Sequence, residues 1–290
     1  MHSTVQVASN ENYKRLKSEK YAVSLSNSTA LEVYSNTKPF ILKIANLQKG
    51  LILVYNREKR VGEGTGFGCP VLIYPKETFF SGSSTVSVAQ TTESIKIRKE
   101  FYMDRAARNK LGNVYLENQK ARVFMRYLTD LYQKHRRFRF LSLKEFFVRM
   151  GVESTFVKTA AVGKVSVTYD INNCVINVKV DFHHLQKGRP KKVFVLNEQS
   201  ASFFRKYSDA HHVSLVDKQI GAWEAVSSEW ACLTNVQGQV GYRLWKVNGS
   251  VLRRGRETME NCLDWVGLDY EVDPESKIFE YKIEILGSSS

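Results

Sequence analysis

Residues 164–185 read KVSVTYDINNCVINVKVDFHHL, and this stretch decides the fold. Val165, Val167, Tyr169 and Ile171 alternate with Ser166, Thr168 and Asp170. Beyond Asn172-Asn173, Cys174, Ile176, Val178, Val180 and Phe182 alternate with Asn177, Lys179, Asp181 and His183. Successive side chains of a strand point to opposite faces, so this alternation belongs to strands with one buried side. Two such runs around an Asn-rich turn predict an antiparallel hairpin. One face is oily, and the other carries Asp, Lys, His, Ser and Thr. That polar face is either solvated surface or the floor of a cleft, and the functional reading turns on which.

Outward from the hairpin, a length of 290 residues allows one large β domain or two smaller ones. Hydrophobic residues at 43% and aromatics at 12% supply a core and exclude global disorder. The formal net charge of +14 gives a weak attraction to polyanions and carries no information on fold. Cys69, Cys174, Cys232 and Cys262 lie far apart and form no CxxC pair, which speaks against a zinc knuckle or redox motif. His211-His212 has only Asp209 and Asp217 as acidic neighbours, so no metal site is expected, nor any cofactor. The first twenty residues lack an apolar core segment, and no run approaches about 18 apolar residues. The expectation is a cytoplasmic chain with reduced thiols and no membrane partner.

Residues 1–19 read as a polar lead-in and 287–290 as a flexible tail, around a β-sandwich domain over 20–286. Strand patterns cover Tyr21–Leu25, Leu31–Tyr34, Phe40–Ala45 and Leu51–Tyr55. Gly62–Gly68, GEGTGFG, contains GxGxG, but a strand pattern follows where a dinucleotide site needs a helix, and no GK[ST] ends it. It is either a left-handed loop or a backbone passing close to a ligand, with Glu63 and Thr65 as contacts. Ser81-Gly82-Ser83-Ser84 reads as a turn between short strands at Thr78–Phe80 and Val86–Val88. From Gln119 to Arg137 apolar residues recur at helical spacing, and Ser142–Glu145 forms a capping box, so a helical insertion is predicted over 119–150. Within it, 134–140 is the most basic run of the chain, a solvated helix end or a phosphate-binding patch. Strands then return at Val193–Leu196, Glu229–Thr234, Val240–Val247 and Ile278–Leu286. Asn248-Gly249 predicts a type I′ turn.

Four constellations carry chemistry. Asp181 and His183 share one strand face, where a carboxylate tunes an imidazole for proton transfer. Asn197-Glu198 stands where a strand is expected to end, a position suited to a ligand-facing acid. Arg253, Arg254 and Arg256 surround Glu257, and guanidinium groups recognise carboxylate or phosphate. Trp223, Trp230, Trp245 and Trp265 form the last group, with Asp264 beside Trp265. Each has a plainer counterpart: a wet His–Asp pair, an ion-pair network at the sheet edge, tryptophans filling the core.

Many antiparallel strands, the absence of crossover helices and the amphipathic terminal strand Ile278–Leu286 resemble the galactose-mutarotase-like super-sandwich family. The resemblance implies a large two-sheet antiparallel β-sandwich that binds sugars on a concave polar face. It further implies a mid-chain His, matched by His183, and a C-terminal Glu, matched by Glu257, as acid and base for opening the sugar ring. The expected function is therefore binding or modification of a small carbohydrate or acidic sugar. Glu257 or Glu198 would take the hydroxyl proton, His183 would protonate the ring oxygen, and Trp265 would stack on the sugar. Asp181, Arg254, Arg256 and Glu63 complete the expected ligand contacts. The alternatives are a basic, non-enzymatic binder of nucleic acid or another polyanion, and an interaction scaffold.

Overall fold

The computed structural model describes residues 3–6, 15–17, 21–26, 30–35, 40–44, 48–55, 64–90, 94–107, 155–157, 162–215, 223–259 and 263–287. The helices predicted over 119–150, the basic run 134–140, Glu63 and Cys262 lie outside the described residues. Among the described residues the chain is built from strands, with no helix.

Two antiparallel sheets form. The smaller pairs β2 (Arg15–Lys17), β3 (Tyr21–Ser26), β4 (Ala30–Ser35), β5 (Phe40–Ile44) and β6 (Ile52–Tyr55) in chain order. The larger begins with β15 (Val213–Leu215), β14 (Lys206–Asp209), β17 (Trp230–Thr234), β18 (Gly241–Trp245) and β21 (Ile278–Leu286). It continues through β12 (Val175–Asp181), β11 (Lys164–Asn172), β9 (Ile95–Ala107) and β8 (Thr78–Gln90). It ends with β7 (Gly66–Ile73), β13 (Lys192–Gln199), β20 (Leu263–Val272), β19 (Ser250–Met259) and β16 (Glu224–Ala225). Two short strands pair off this path, β1 (Ser3–Gln6) on β8 and β10 (Thr155–Val157) on β9.

The predicted hairpin is β11–β12, at the centre of this sheet, with Asn172 opposite Val175 and Ser166 opposite Asp181. Its tight loop is Asn173-Cys174, with Asn173 in the left-handed region at φ 52°. Cys174 therefore belongs to the loop and only packs against the core. Val165, Val167, Tyr169, Ile176, Val178 and Val180 are buried on one side, while Asn177 and Lys179 are exposed on the other.

The large sheet folds back on itself. Strands far apart along its path meet face to face, because each has an oily face that only another sheet layer can cover. Tyr270 of β20 packs against Phe279 and Tyr281 of β21, with ring centroids 5.0 and 4.9 Å apart. Phe67 of β7 meets Tyr242 of β18 edge to face at 5.0 Å. Tyr169 donates its hydroxyl to the Phe67 carbonyl at 2.6 Å. The small sheet docks through β6. Leu53 N–H donates to Gln199 Oε1 at 3.0 Å, and the Tyr55 hydroxyl reaches the carbonyls of Gly241 and Leu286.

Several local expectations are corrected. Ser81–Ser84 is no turn: β8 runs straight through it, with a register shift between Ser81 and Ser84. Gly82 makes this possible, since a Cβ there would stand 2.3 Å from the Asp104 carboxyl. Asn197-Glu198 stands at the end of β13 as expected, with the strand running on to Gln199. At Asn248-Gly249 only Gly249 is left-handed, at φ 75°, and Ser250 N–H donates to Val247 O at 3.1 Å. That is the type II pattern, not type I′, and β18 and β19 are not paired by it.

Asn197 binds the layers together. Its Oδ1 accepts the Tyr281 hydroxyl at 2.5 Å and the Gly68 N–H at 3.1 Å, and its Nδ2 donates to Leu268 O at 3.1 Å. Asn197→Ala strands a buried amide N–H, a buried hydroxyl and a carbonyl together, and is expected to cost about 3 kcal/mol. Urea denaturation of the variant beside the wild type checks this, and Tyr281→Phe should lose about 1 kcal/mol, clearly less.

Candidate active site

Alternation along β13 turns Glu198 away from Asn197, out of the sandwich interior and onto the outer face of the β7–β13–β20–β19 layer. Glu198 stands opposite Gly66 of β7 and Gly267 of β20, and Gly267 stands opposite Gly255 of β19. These glycines let neighbouring groups press onto the sheet beside the acid, the Gly50 backbone at Gly66 and the Trp223 and Trp265 rings at Gly255. Along the same face lie Trp265 and Asp269 on β20 and Glu257 on β19, with Glu257 directly opposite Trp265. From strand spacing and rise, the Cα atoms of Glu198 and Glu257 are roughly 12 Å apart, within reach of two long side chains converging on one small ligand.

Glu198 is buried and Glu257 is only partly so, which makes one the floor and the other the rim. Thr65 closes over Glu198, its N–H donating to Oε2 at 3.3 Å. The glycine-rich stretch is thus a backbone pressed against a carboxyl group. Gly64 has no room for a side chain, since a Cβ there would lie 2.6 Å from the Glu198 carbonyl oxygen. Gly66 and Gly68 both hold left-handed φ, at 83° and 81°. Burial pushes the Glu198 carboxyl up to about 7, opposed by the Thr65 hydrogen bonds and Lys49 and reinforced by Glu257.

Asp269 has no solvent exposure. The register shift between Leu196 and Asn197 takes the Asn197 N–H for Asp269, whose Oδ1 accepts it at 2.5 Å. Its Oδ2 has no hydrogen-bond partner. Burial, with the Glu198 charge adding to it, holds Asp269 well above the ordinary carboxylate range. A methyl group at Gly267 would stand 3.1 Å from both Asp269 Oδ1 and Glu198 Cγ, so this glycine lets the two acids sit side by side.

Trp265 stacks on Trp223 with centroids 5.0 Å apart and planes 21° apart, both over Gly255. Both indoles are half-buried, forming an apolar wall beside Glu257. At the same end, Asp264 accepts the hydroxyls of Ser200 and Ser202, each at 2.7 Å. Behind the site, Lys99 is fully buried and donates to the Lys49 carbonyl. Burial lowers its ammonium to about 8 and raises the nearby Cys69 thiol to about 11.

The other sequence-predicted residues go elsewhere. Asp181 and His183 lie at the C-terminal end of β12, His183 Nδ1 2.8 Å from Asp181 Oδ1, with His183 exposed. Partial burial raises the Asp181 carboxyl, but the His183 N–H and ring outweigh it and leave it below its usual range. Because neighbouring strands alternate in direction, this end of β12 is opposite the end of β13 that holds Glu198, and the pair lies on the other outer face. Arg254 and Arg256 point to the opposite side of β19 from Glu257. Arg254 grips Glu224 through Nε and Nη2 and lies 4.3 Å over the Tyr207 ring, while Arg256 is buried and donates to Ala201 O at 2.8 Å.

Asp269, Trp223 and Thr65 join Glu198 and Glu257 in the site. The signal for Asp269 was present in Trp265-Val266-Gly267-Leu268-Asp269, where a glycine separates an aromatic from an acid on one strand face. Among the described residues no three His, Cys, Asp or Glu side chains gather at metal-binding spacing, and no helix is long and apolar enough to cross a membrane.

Among the described residues the fold is that of a mainly β protein with two antiparallel sheets, one very large. No protein-family model and no curated protein matches the chain. Among solved structures it is similar to the α-N-acetylgalactosaminidase NagBb of Bifidobacterium bifidum in complex with GalNAc, at 8% identity and TM-score 0.46. That likeness covers 96% of this chain and 36% of the other, so the chain spans about a third of that protein's length. It is also similar to HI1317, at 8% identity and TM-score 0.42, over 95% of this chain and 99% of that one.

The raised carboxyl groups make stability depend on pH in a defined sense. A carboxyl that holds its proton more tightly when folded stabilises the fold below its unfolded value, near 4.5 for Glu198, and that contribution fades as pH rises towards about 7. Urea midpoints should therefore fall between about pH 5 and about pH 8, and Glu198→Gln should reduce the fall.

Proposed function

We propose that the chain binds a small carbohydrate on the Glu198–Glu257 face and carries out acid–base chemistry at its anomeric centre. The observation that carries this reading is the pairing of a buried and a rim carboxyl group beside a stacked indole wall. Glu198, raised to about 7, keeps a proton available near neutrality and is the general acid. Glu257, nearer the solvent, is the base. The apolar CH face of a pyranose fits against Trp265, and its hydroxyls meet Glu257 and Glu198 on the same sheet face.

In ring opening, Glu257 takes the proton of the anomeric hydroxyl while Glu198 gives its proton to the ring oxygen. The bond from C1 to the ring oxygen breaks, leaving an open-chain aldehyde. Closure on either face of the carbonyl returns both protons and gives either anomer. His183, at the far end of the sandwich, takes no part in this scheme. The roles follow burial: the acid is the group whose proton the protein interior retains, and the base is the group that solvent can replenish.

Anomer exchange in a panel of free aldoses and uronic acids, followed by NMR, tests the reading. Wild type should accelerate exchange for at least one sugar, and Glu198→Gln and Glu257→Gln should each lower the rate by about 10²–10⁴-fold. Trp265→Ala should weaken binding by about tenfold, and His183→Ala should change neither. Unaltered exchange in both Glu variants would discard the reading, as would no acceleration and no binding across the panel.

A further inference from the structure

Asp269 is the buried acid that the proposed reaction leaves idle. It has no solvent exposure, and its two oxygens are placed differently. Oδ1 accepts the Asn197 N–H at 2.5 Å, while Oδ2 has no hydrogen-bond partner among the described residues. A protonated carboxyl group that accepts a short hydrogen bond at one oxygen carries its proton on the other. A carboxyl group withdrawn from water without a bonded cation favours its neutral form. Asp269 therefore presents a buried O–H at Oδ2 with nothing to receive it, which opposes folding.

The strand register shows what could receive it. Across from Asp269 stand Leu196 on β13 and Arg253 on β19; the first is apolar and the second can only donate. Glu271, two residues along β20, is already held by Arg253 at 2.7 Å and by Lys192 at 3.2 Å. Cys69, beyond Leu196 on β7, donates its thiol to Thr65 O at 3.0 Å. From the facing layer, Tyr242 and Tyr281 give their hydroxyls to Asn197 O and Oδ1. That leaves Glu198, the diagonal neighbour on β13, which feels Thr65, Lys49 and Glu257 on its other sides. A Cβ at Gly267 would lie 3.1 Å from both Asp269 Oδ1 and Glu198 Cγ, so these two atoms are at most twice that distance apart.

We propose that Asp269 is a positioning residue for the acid step: it keeps its proton on Oδ2 and donates that O–H to the Glu198 carboxylate once Glu198 has protonated the ring oxygen. This rests on the assignment of Glu198 as the general acid. No proton leaves Asp269. Before transfer both acids are neutral and the Oδ2 hydrogen is unbonded; after transfer Glu198 is an anion and the same O–H satisfies it. The hydrogen bond belongs to the discharged state, so its stabilisation falls on the transition state and not on the bound sugar. When the ring closes, Glu198 recovers its proton from the open-chain hydroxyl and the Oδ2 hydrogen is released. Burial, with the Glu198 charge adding to it, keeps Asp269 protonated over the range in which Glu198 titrates.

Two substitutions separate a donor from a like charge. Asp269→Asn keeps a donor where the O–H stands, and Asp269→Leu keeps the bulk and removes it. Carbon-13 NMR of glutamate-labelled free protein, with Glu198→Gln for assignment, gives the Glu198 midpoint. It should stay within about half a unit of the wild type in Asp269→Asn and rise by about one unit in Asp269→Leu, because loss of a donor disfavours the anion. An ionised Asp269 requires the reverse, a lower midpoint in both variants, and that result would overturn the proposal. An unchanged midpoint in a folded Asp269→Leu would do the same. Infrared spectra of aspartate-labelled wild type give a measure free of any folding defect: a protonated aspartate band should persist at pH 8, and its absence would be equally fatal. For a sugar whose exchange the wild type accelerates, Asp269→Leu should lower kcat by about 10–100-fold with KM hardly changed, and Asp269→Asn should restore most of it. Exchange unaltered in Glu198→Gln would remove the acid step itself, whereas a midpoint of the wrong sign with exchange intact would remove only the role given to Asp269.

Discussion

Asn197 is the point on which the two halves of the large sheet agree. A buried side-chain amide must find partners, and here they come from three places: Tyr281 across the sandwich, Gly68 on one neighbouring strand and Leu268 on the other. The Asn197 carbonyl also accepts the Tyr242 hydroxyl at 3.2 Å. These bonds fix which residue of β13 faces inward, and pleating then dictates that Glu198 faces outward. A one-residue slip would bury the acid in the oily interior and expose the amide, so the polar hub sets the register as well as the packing. The position of the carboxyl group is a consequence of the neighbouring amide.

Much of the architecture was legible because strict alternation has one physical meaning. The hairpin at 164–185 and the terminal strand Ile278–Leu286 bury one side each, and their sequences record it residue by residue. β20 was hidden for the opposite reason. In Leu263–Val272 apolar residues occupy both faces, and Gly267 and Asp269 interrupt the pattern, because one face lines the sandwich and the other lines the acid site. Ser81–Ser84 misled in the same way: small residues that usually mark a turn here allow a strand to carry a bulge against Asp104.

The candidate site divides along the same line. Glu198 was picked out by its place at a strand end and Glu257 by its arginine neighbours and the family resemblance, and the structure sets them on one face. His183 stands at a comparable place in the sequence but not in space, since strand direction, invisible in a local pattern, carries it to the far end. Arg254 and Arg256 flank Glu257 in the chain yet face the other way, which follows from the period of two once β19 is known to be a single strand of ten residues. Sequence proximity on a strand separates neighbours as often as it joins them.

The two outer faces of the sandwich solve the problem of polar residues in contrary ways. On the β12–β21 face, charges of opposite sign sit opposite one another in water, each satisfied by its neighbour and each contributing little to stability. On the β13–β20 face, two acids are withdrawn from water without a buried cation hydrogen-bonded to either, and one carboxyl oxygen is left without any partner. Burial of that kind opposes folding, and a hydrophobic pair of the same shape would avoid the cost. Nothing in the packing of the sandwich calls for acids there, since Leu196 fills the same face one row away. The glycines at 66, 255 and 267 let neighbours press onto the sheet where a side chain would collide: the Gly50 backbone, the Trp223 and Trp265 rings, and the two acids themselves. Acids kept buried at a cost to stability are what mark this face as the candidate site.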